Sequence, residues 1–180
     1  MNSRSSRRSG GAEREPRAQL PLLDRLIDDA PEVARDPPLS AGETATILRR
    51  SVRRDLEALL NARRRWRSWP AGYRELEISP VGYGISDFAA GAFNDPEQRE
   101  QLRAGVEQTI RRFEPRLARI RVTLADGQNT LEPVLRLRIE ALLRIEPAPE
   151  PIAFDTLVNS ATAEVQVKAG SPDLAASADV

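Results

Sequence analysis

Residues 113–124 read FEPRLARIRVTL, and the change of pattern across them decides the fold. Upstream, Leu102, Val106, Ile110 and Phe113 recur at helical spacing. Downstream, Ile120, Val122 and Leu124 alternate with Arg119, Arg121 and Thr123, the period of a strand with one buried face. Pro115 forces the change, because the residue before a proline is pushed out of the α region. Glu114 therefore ends the helix or begins the extended segment. In extended chain Glu114 and Arg116 project to one side. A continued register puts Arg116 on the inward face of Ile120 and Val122. Buried charge without a partner is costly, so both groups need completion. The expectation is that a binding partner supplies it near the end of the sheet.

After this joint the chain reads as a strand meander. The Asp126-Gly127-Gln128-Asn129 cluster predicts a hairpin turn. In the return strand, Leu135, Leu137, Ile139, Ala141 and Leu143 face one way, with Arg136, Arg138, Glu140 and Arg144 opposite. Two shorter runs, Ile152 to Val158 and Ala161 to Lys168, extend the sheet, the last as an exposed edge open to strand addition. The polar face carries Arg119, Arg121, Arg136, Arg138 and Lys168, a solvated face or a docking face for an acidic partner.

Before the joint the pattern is helical. Ser40 and Glu43 form a capping-box signature, and the helix they open reaches about Arg64. Its stripe is Leu48, Val52, Leu56, Leu59 and Leu60. Asn94 or Asp95, with Pro96 behind it, starts the helix that runs to Phe113. Gly105 inside that helix hints at a close backbone contact, since glycine there costs about 1 kcal/mol relative to alanine. Residues 79–88 read as a loop that tucks Tyr83 and Phe88 onto the helices. Helices first and strands after predict an α+β fold, two main helices packed on one face of a small antiparallel sheet of three to four strands. The boundaries are a disordered arm at 1–18, a helical anchor and linker at 19–38, the α+β domain at 39–169 and a disordered tail at 170–180. In the anchor, Leu22, Leu23, Leu26 and Ile27 share one helical face, and the segment is too short to be stable alone.

Composition narrows the function. Basic and acidic residues balance at 27 each, and there is no cysteine or histidine. Disulfides, thiolate nucleophiles, cysteine or histidine zinc sites and Ser-His-Asp chemistry are excluded. No cofactor is expected. Every basic residue but Lys168 is arginine, which suits fixed bidentate pairs with carboxylates. Two other readings stand beside an assembly subunit. A peptidoglycan hydrolase would use Glu114 as its acid, yet the flanking Pro115 and Arg116 favour an ionised, salt-bridged carboxylate. A nucleic-acid binder would use Arg63 to Arg67 with Trp66 and Trp69, against which stands the zero net charge. No apolar run approaches membrane-spanning length, and the expected location is the cytoplasm.

Five short motifs carry a resemblance to a known family. Residues 54–63, RDLEALLNAR, resemble the RDLExLLNxR stretch of TssE, the sheath-initiator subunit of the type VI secretion baseplate. Residues 22–26, LLDRL, resemble its N-terminal motif, and residues 83–88, YGISDF, its YGLPD-type loop, with Ser86 where proline is commoner. Phe113 to Leu117 is similar to its Glu-Pro-Arg signature, and Phe154-Asp155-Thr156 to its late strand motif. The resemblance implies a non-enzymatic, cytoplasmic structural subunit beside the wedge proteins TssF and TssG. It would offer strands to the first ring of the TssB/TssC sheath. It further implies assembly roles for Glu114, Pro115 and Arg116. The assembly residues expected besides these are Leu22, Leu23, Leu26 and Ile27 of the anchor, and Asp155, Val165 and Val167 of the late strands.

Overall fold

The computed structural model describes residues 20–27, 31–32, 39–64, 72–86, 95–125, 134–146, 148–159 and 161–172. In order these form α1 (Leu22–Leu26), α2 (Ala41–Asn61), β1 (Arg63–Arg64), β2 (Ile85–Ser86) and α3 (Pro96–Phe113). Then follow β3 (Leu117–Leu124), β4 (Val134–Leu143), β5 (Glu150–Asn159) and β6 (Val165–Gly170). Two 3-10 turns, Arg74–Ile78 and Pro80–Gly82, lie between β1 and β2. The N-terminal arm, the Asp126–Asn129 turn, the Arg65–Trp69 cluster and Phe88 lie outside the described residues.

The α+β class expected from the pattern is the class observed. Strands β3-β4-β5-β6 form one antiparallel sheet in chain order. Its buried face carries Val122, Leu135, Leu137, Ile139, Leu143, Phe154, Val158, Val165 and Val167, packed with Leu48, Val52, Leu56 and Leu60 of α2 and Val106 and Ile110 of α3. Each fully buried leucine or isoleucine contributes roughly 1.5–3 kcal/mol. Both long helices start as their caps dictate. Ser40 and Glu43 close a capping box, and the Asp95 carboxylate accepts from the Glu97 N–H at 2.9 Å ahead of Pro96.

Four details depart from the sequence pattern. First, α2 stops at Asn61, and Arg63–Arg64 instead pairs in parallel with Ile85–Ser86 as a second, two-stranded sheet. The Ile85 N–H donating to the Ala62 carbonyl at 3.0 Å holds that pairing. Second, β3 carries a bulge. Its pairing with β4 shifts between Ala118 and Arg121, and Arg119 sits at φ 49. Two residues there oppose one, so Leu117 and Ile120 are both buried. The strict alternation that would have aligned Arg116 with Ile120 is broken at this point. Third, Gly105 has open space where a Cβ would stand, so it marks no close contact. Fourth, the last strand starts at Val165, later than Ala161, and reaches Gly170, one residue into the expected tail.

Candidate functional site

The joint after α3 is built by α3, α2 and α1 together. Glu114 caps α3 with its N–H donating to the Ile110 carbonyl at 2.9 Å, and its side chain is almost fully buried. The Arg116 guanidinium is shared among three groups. Its Nε donates to Glu114 Oε1 at 2.6 Å and its Nη1 to Ser51 Oγ at 3.1 Å. Its Nη2 donates to Asp55 Oδ2 at 2.7 Å and also meets the second Glu114 oxygen. The chain here is a turn, closed by the Leu117 N–H donating to the Glu114 carbonyl at 3.2 Å, and not the extended segment expected from the pattern; the turn brings Glu114 and Arg116 together. Their charges, however, are completed by α2 of the same chain and not by a partner, which corrects the expectation from sequence. The reason is the helix crossing: Ser51 and Asp55 stand four residues apart on one face of α2, and that face meets the joint.

A second guanidinium extends the network. Arg54 donates through Nε to Asp55 Oδ1 at 3.0 Å and through Nη1 to Asp24 Oδ1 at 2.8 Å. Ser51 Oγ donates to Asp24 Oδ2 at 2.6 Å. These bonds pin α1, whose own five residues bury nothing. Burial works against the Asp24 charge, but the hydrogen bonds from Arg54 and Ser51 outweigh it and hold the carboxyl below its usual range. Burial likewise opposes the Arg116 charge, and the bonds to Glu114 and Asp55 more than compensate, so its pKa lies above that of free arginine. The Tyr83 hydroxyl is pushed up, first by burial and then by the nearby Asp55 and Glu114 charges.

These groups border an open cavity of about 520 Å³, lined by Pro21, Asp55, Leu59, Tyr83, Phe113, Glu114, Pro115 and Arg116. Tyr83 stands edge-on to Phe113 with ring centroids 5.3 Å apart. Beside it α1 leaves Leu22, Leu23, Leu26 and Ile27 between 50% and 71% exposed, an apolar face held outward by its polar side. The sequence reading missed Asp24, Ser51 and Asp55 as members of this site. The signal was present: LLDRL contains Asp24, RDLE contains Arg54 and Asp55, and YGISDF begins at Tyr83. Motifs scattered along the chain converge on one place.

Asp155, Val165 and Val167 lie elsewhere. Asp155 is exposed on the polar face of the sheet, where Arg138 reaches it at 3.4 Å. Val165 and Val167 are buried beneath α2, so only their backbone reaches the sheet edge. Arg138 also binds Glu140 at 3.1 Å, so the arginine-rich face is partly neutralised by its own acids. Among the described residues no group of acidic side chains is arranged to hold a metal ion, and no helix is long and apolar enough to cross a membrane.

The Asp24 clasp gives a pH prediction. A carboxylate whose pKa is depressed in the folded state stabilises above its unfolded value, near 3.9, and that stability is lost as pH falls through the lower folded value. Docking of α1 should therefore persist at pH 5 and be released in stronger acid, below about pH 4. Amide hydrogen exchange at residues 22–27 measured across this range checks it. In an Asp24→Asn variant, α1 should exchange fast already at pH 7.

A family model described as baseplate wedge protein gp25 matches residues 46–148, more than half of the chain. No curated protein matches.

Proposed function

Since this chain belongs to the baseplate wedge protein gp25 family, the family of TssE in type VI secretion, we propose that it works as a sheath-initiating subunit of a type VI baseplate. The family supports a structural baseplate role and assembly with other baseplate proteins. In the finer reading the chain is cytoplasmic and non-enzymatic, docks on the TssF and TssG wedge proteins and hands the baseplate on to the TssB/TssC sheath. The observation that carries it is the convergence of the motif residues Asp55, Tyr83, Glu114 and Arg116 around one cavity, with Asp24 tied to them through Arg54 and Ser51 and the exposed apolar face of α1 beside it. A wedge protein would cover the α1 leucines and Pro115, while the ionic network beneath holds their positions. Glu114, buried and bonded to Arg116 through both oxygens, is poorly placed to donate a proton to a glycan.

Replacing Leu22, Leu23, Leu26 and Ile27 together by serine tests this. These side chains are exposed, so the melting temperature should stay within a few degrees, whereas capture of TssF/TssG should weaken at least tenfold. Unchanged capture would remove the anchor from the interface. Peptidoglycan turnover that disappears in a Glu114→Gln variant would overturn the non-enzymatic reading.

A further inference from the structure

Strand β6 ends the sheet, and α2 supplies what a neighbouring strand would. Arg53, Glu57 and Asn61 stand four residues apart along the helix and reach the outward backbone groups of β6. Asn61 accepts the Val165 N–H at 2.9 Å and donates to the Val165 carbonyl at 2.8 Å. The same amide donates to the Glu57 carbonyl at 2.8 Å, which fixes its orientation. Glu57 accepts the Val167 N–H at 3.4 Å, and Arg53 donates to the Val167 carbonyl at 3.3 Å. Arg63 donates to the Ala163 carbonyl just ahead of the strand. The last strand is therefore not the bare edge, open to strand addition, that its alternating sequence suggests.

The two edges of the sheet are protected differently. On β3, Glu107 accepts the Val122 N–H at 3.1 Å, and Arg103 and Arg111 donate to the Val122 and Ile120 carbonyls at 2.9 Å. The bulge at Arg119 spoils that edge a second time. On β6 there is no second guard. Its register with β5 runs unbroken from Val165 to Gly170, and the strand, VQVKAG, holds no proline and a single charge, Lys168. Bare edges of this kind pair with other chains. Outward residues alternate, so Ala169 follows Val165 and Val167. Two copies of β6 set antiparallel about Val167 would pair Val165 with Ala169, and Gln166 would stand opposite Lys168. Like charges do not meet in that register, so the edge is complementary to itself and would close a twofold dimer.

We propose that the α2 row is a built-in block on self-association: Arg53, Glu57 and Asn61 hold the place of a neighbouring strand and keep β6 off β6 of a second copy of this chain. The Asn61 carboxamide gives Val165 one donor and one acceptor, the pair of groups that a residue of an antiparallel neighbour exchanges. A second copy therefore gains no bond at Val165 that the chain does not already make, and it still loses its freedom of motion on binding. The block is firmest at Val165. It thins at Val167, where the bonds are long, and among the described residues no side chain of the row bonds to Ala169. The same geometry gives a role to Glu57, Asn61 and Arg63, the polar positions of RDLEALLNAR that the network at the joint leaves unused.

Sedimentation equilibrium on the full chain reads the self-association, with circular dichroism confirming that each variant is folded. Glu57→Ala and Asn61→Ala together should dimerise at least tenfold more tightly than the wild type. In that background Ala169→Pro removes an outward N–H and should return association to the wild-type value. Gln166→Lys, at an exposed position, sets like charges opposite each other across the twofold axis and should weaken the dimer several-fold. The Val165 and Val167 amides should exchange at least tenfold faster than in the wild type when the opened variant is dilute, and regain protection as its concentration rises. An opened variant that associates no more than the wild type would overturn the proposal. A dimer indifferent to both Ala169→Pro and Gln166→Lys would also overturn it, since its contact would lie elsewhere. If the double variant does not fold, Asn61→Ala alone is judged by the same outcomes.

Discussion

Arg116→Ala should destabilise the domain by about 3–5 kcal/mol, the range for removing one partner of a buried ion pair. Glu114 is only 5% exposed at its side chain and would lose the guanidinium bonds that both of its oxygens accept. Asp55 and Ser51 would lose their bonds at the same time. For a domain of this size such a loss is a large part of the total stability, so the urea midpoint should fall steeply. Arg116→Lys should recover only part of it, since one ammonium on a flexible stem cannot serve Glu114, Asp55 and Ser51 in the geometry that a planar fork serves. This reverses what the local pattern suggests. Read from residues 113–124 alone, removing the arginine touches no hydrophobic face and leaves the domain folded. A loss below about 1 kcal/mol would mean that water completes these carboxylates as well as Arg116 does.

Gly84→Ala should be comparably damaging, by about 3 kcal/mol or more. Gly84 sits at φ +98, and a Cβ there would stand 2.3 Å from the Ala62 carbonyl oxygen and 2.7 Å from its carbon. Left-handed strain in a residue with a side chain costs about 1–3 kcal/mol by itself, and this overlap is with backbone, which cannot rotate away. The same carbonyl accepts the Ile85 N–H, so relief of the clash would part β1 from β2 and draw Tyr83 off Phe113. Gly105→Ala is the control. That position has nothing within 4 Å of a new Cβ, and alanine in a helix interior gains roughly 0.5–1 kcal/mol over glycine. Thermal melts of the two variants should therefore move in opposite directions. A Gly84→Ala protein that melts with the wild type would show that the approach of Ala62 relaxes freely.

Much of the fold was legible because it is local. Helical and alternating periods place α2, α3, β3 and β4 within a few residues, since each period reports one buried face. Ser40, Asp95 and Pro115 mark boundaries through their own backbone chemistry. The same locality made Glu114 and Arg116 readable as a pair. What completes them was not readable. Asp55 lies 61 residues from Arg116 and Ser51 lies 65 away, and only the crossing of α2 over the joint brings them within reach. The bulge at Arg119 is of the same kind, a pairing adjustment between two strands that neither strand's alternation contains. The covered edge of β6 is the sharpest case. The sequence presents an open strand, and in the fold α2 lies along it so that Arg53, Glu57 and Asn61, residues with the pattern of a solvated helix face, take the hydrogen bonds of a missing neighbour. Period and capping are properties of consecutive residues and survive in the sequence. Which polar groups satisfy which others depends on how elements cross, and tertiary structure alone decided that.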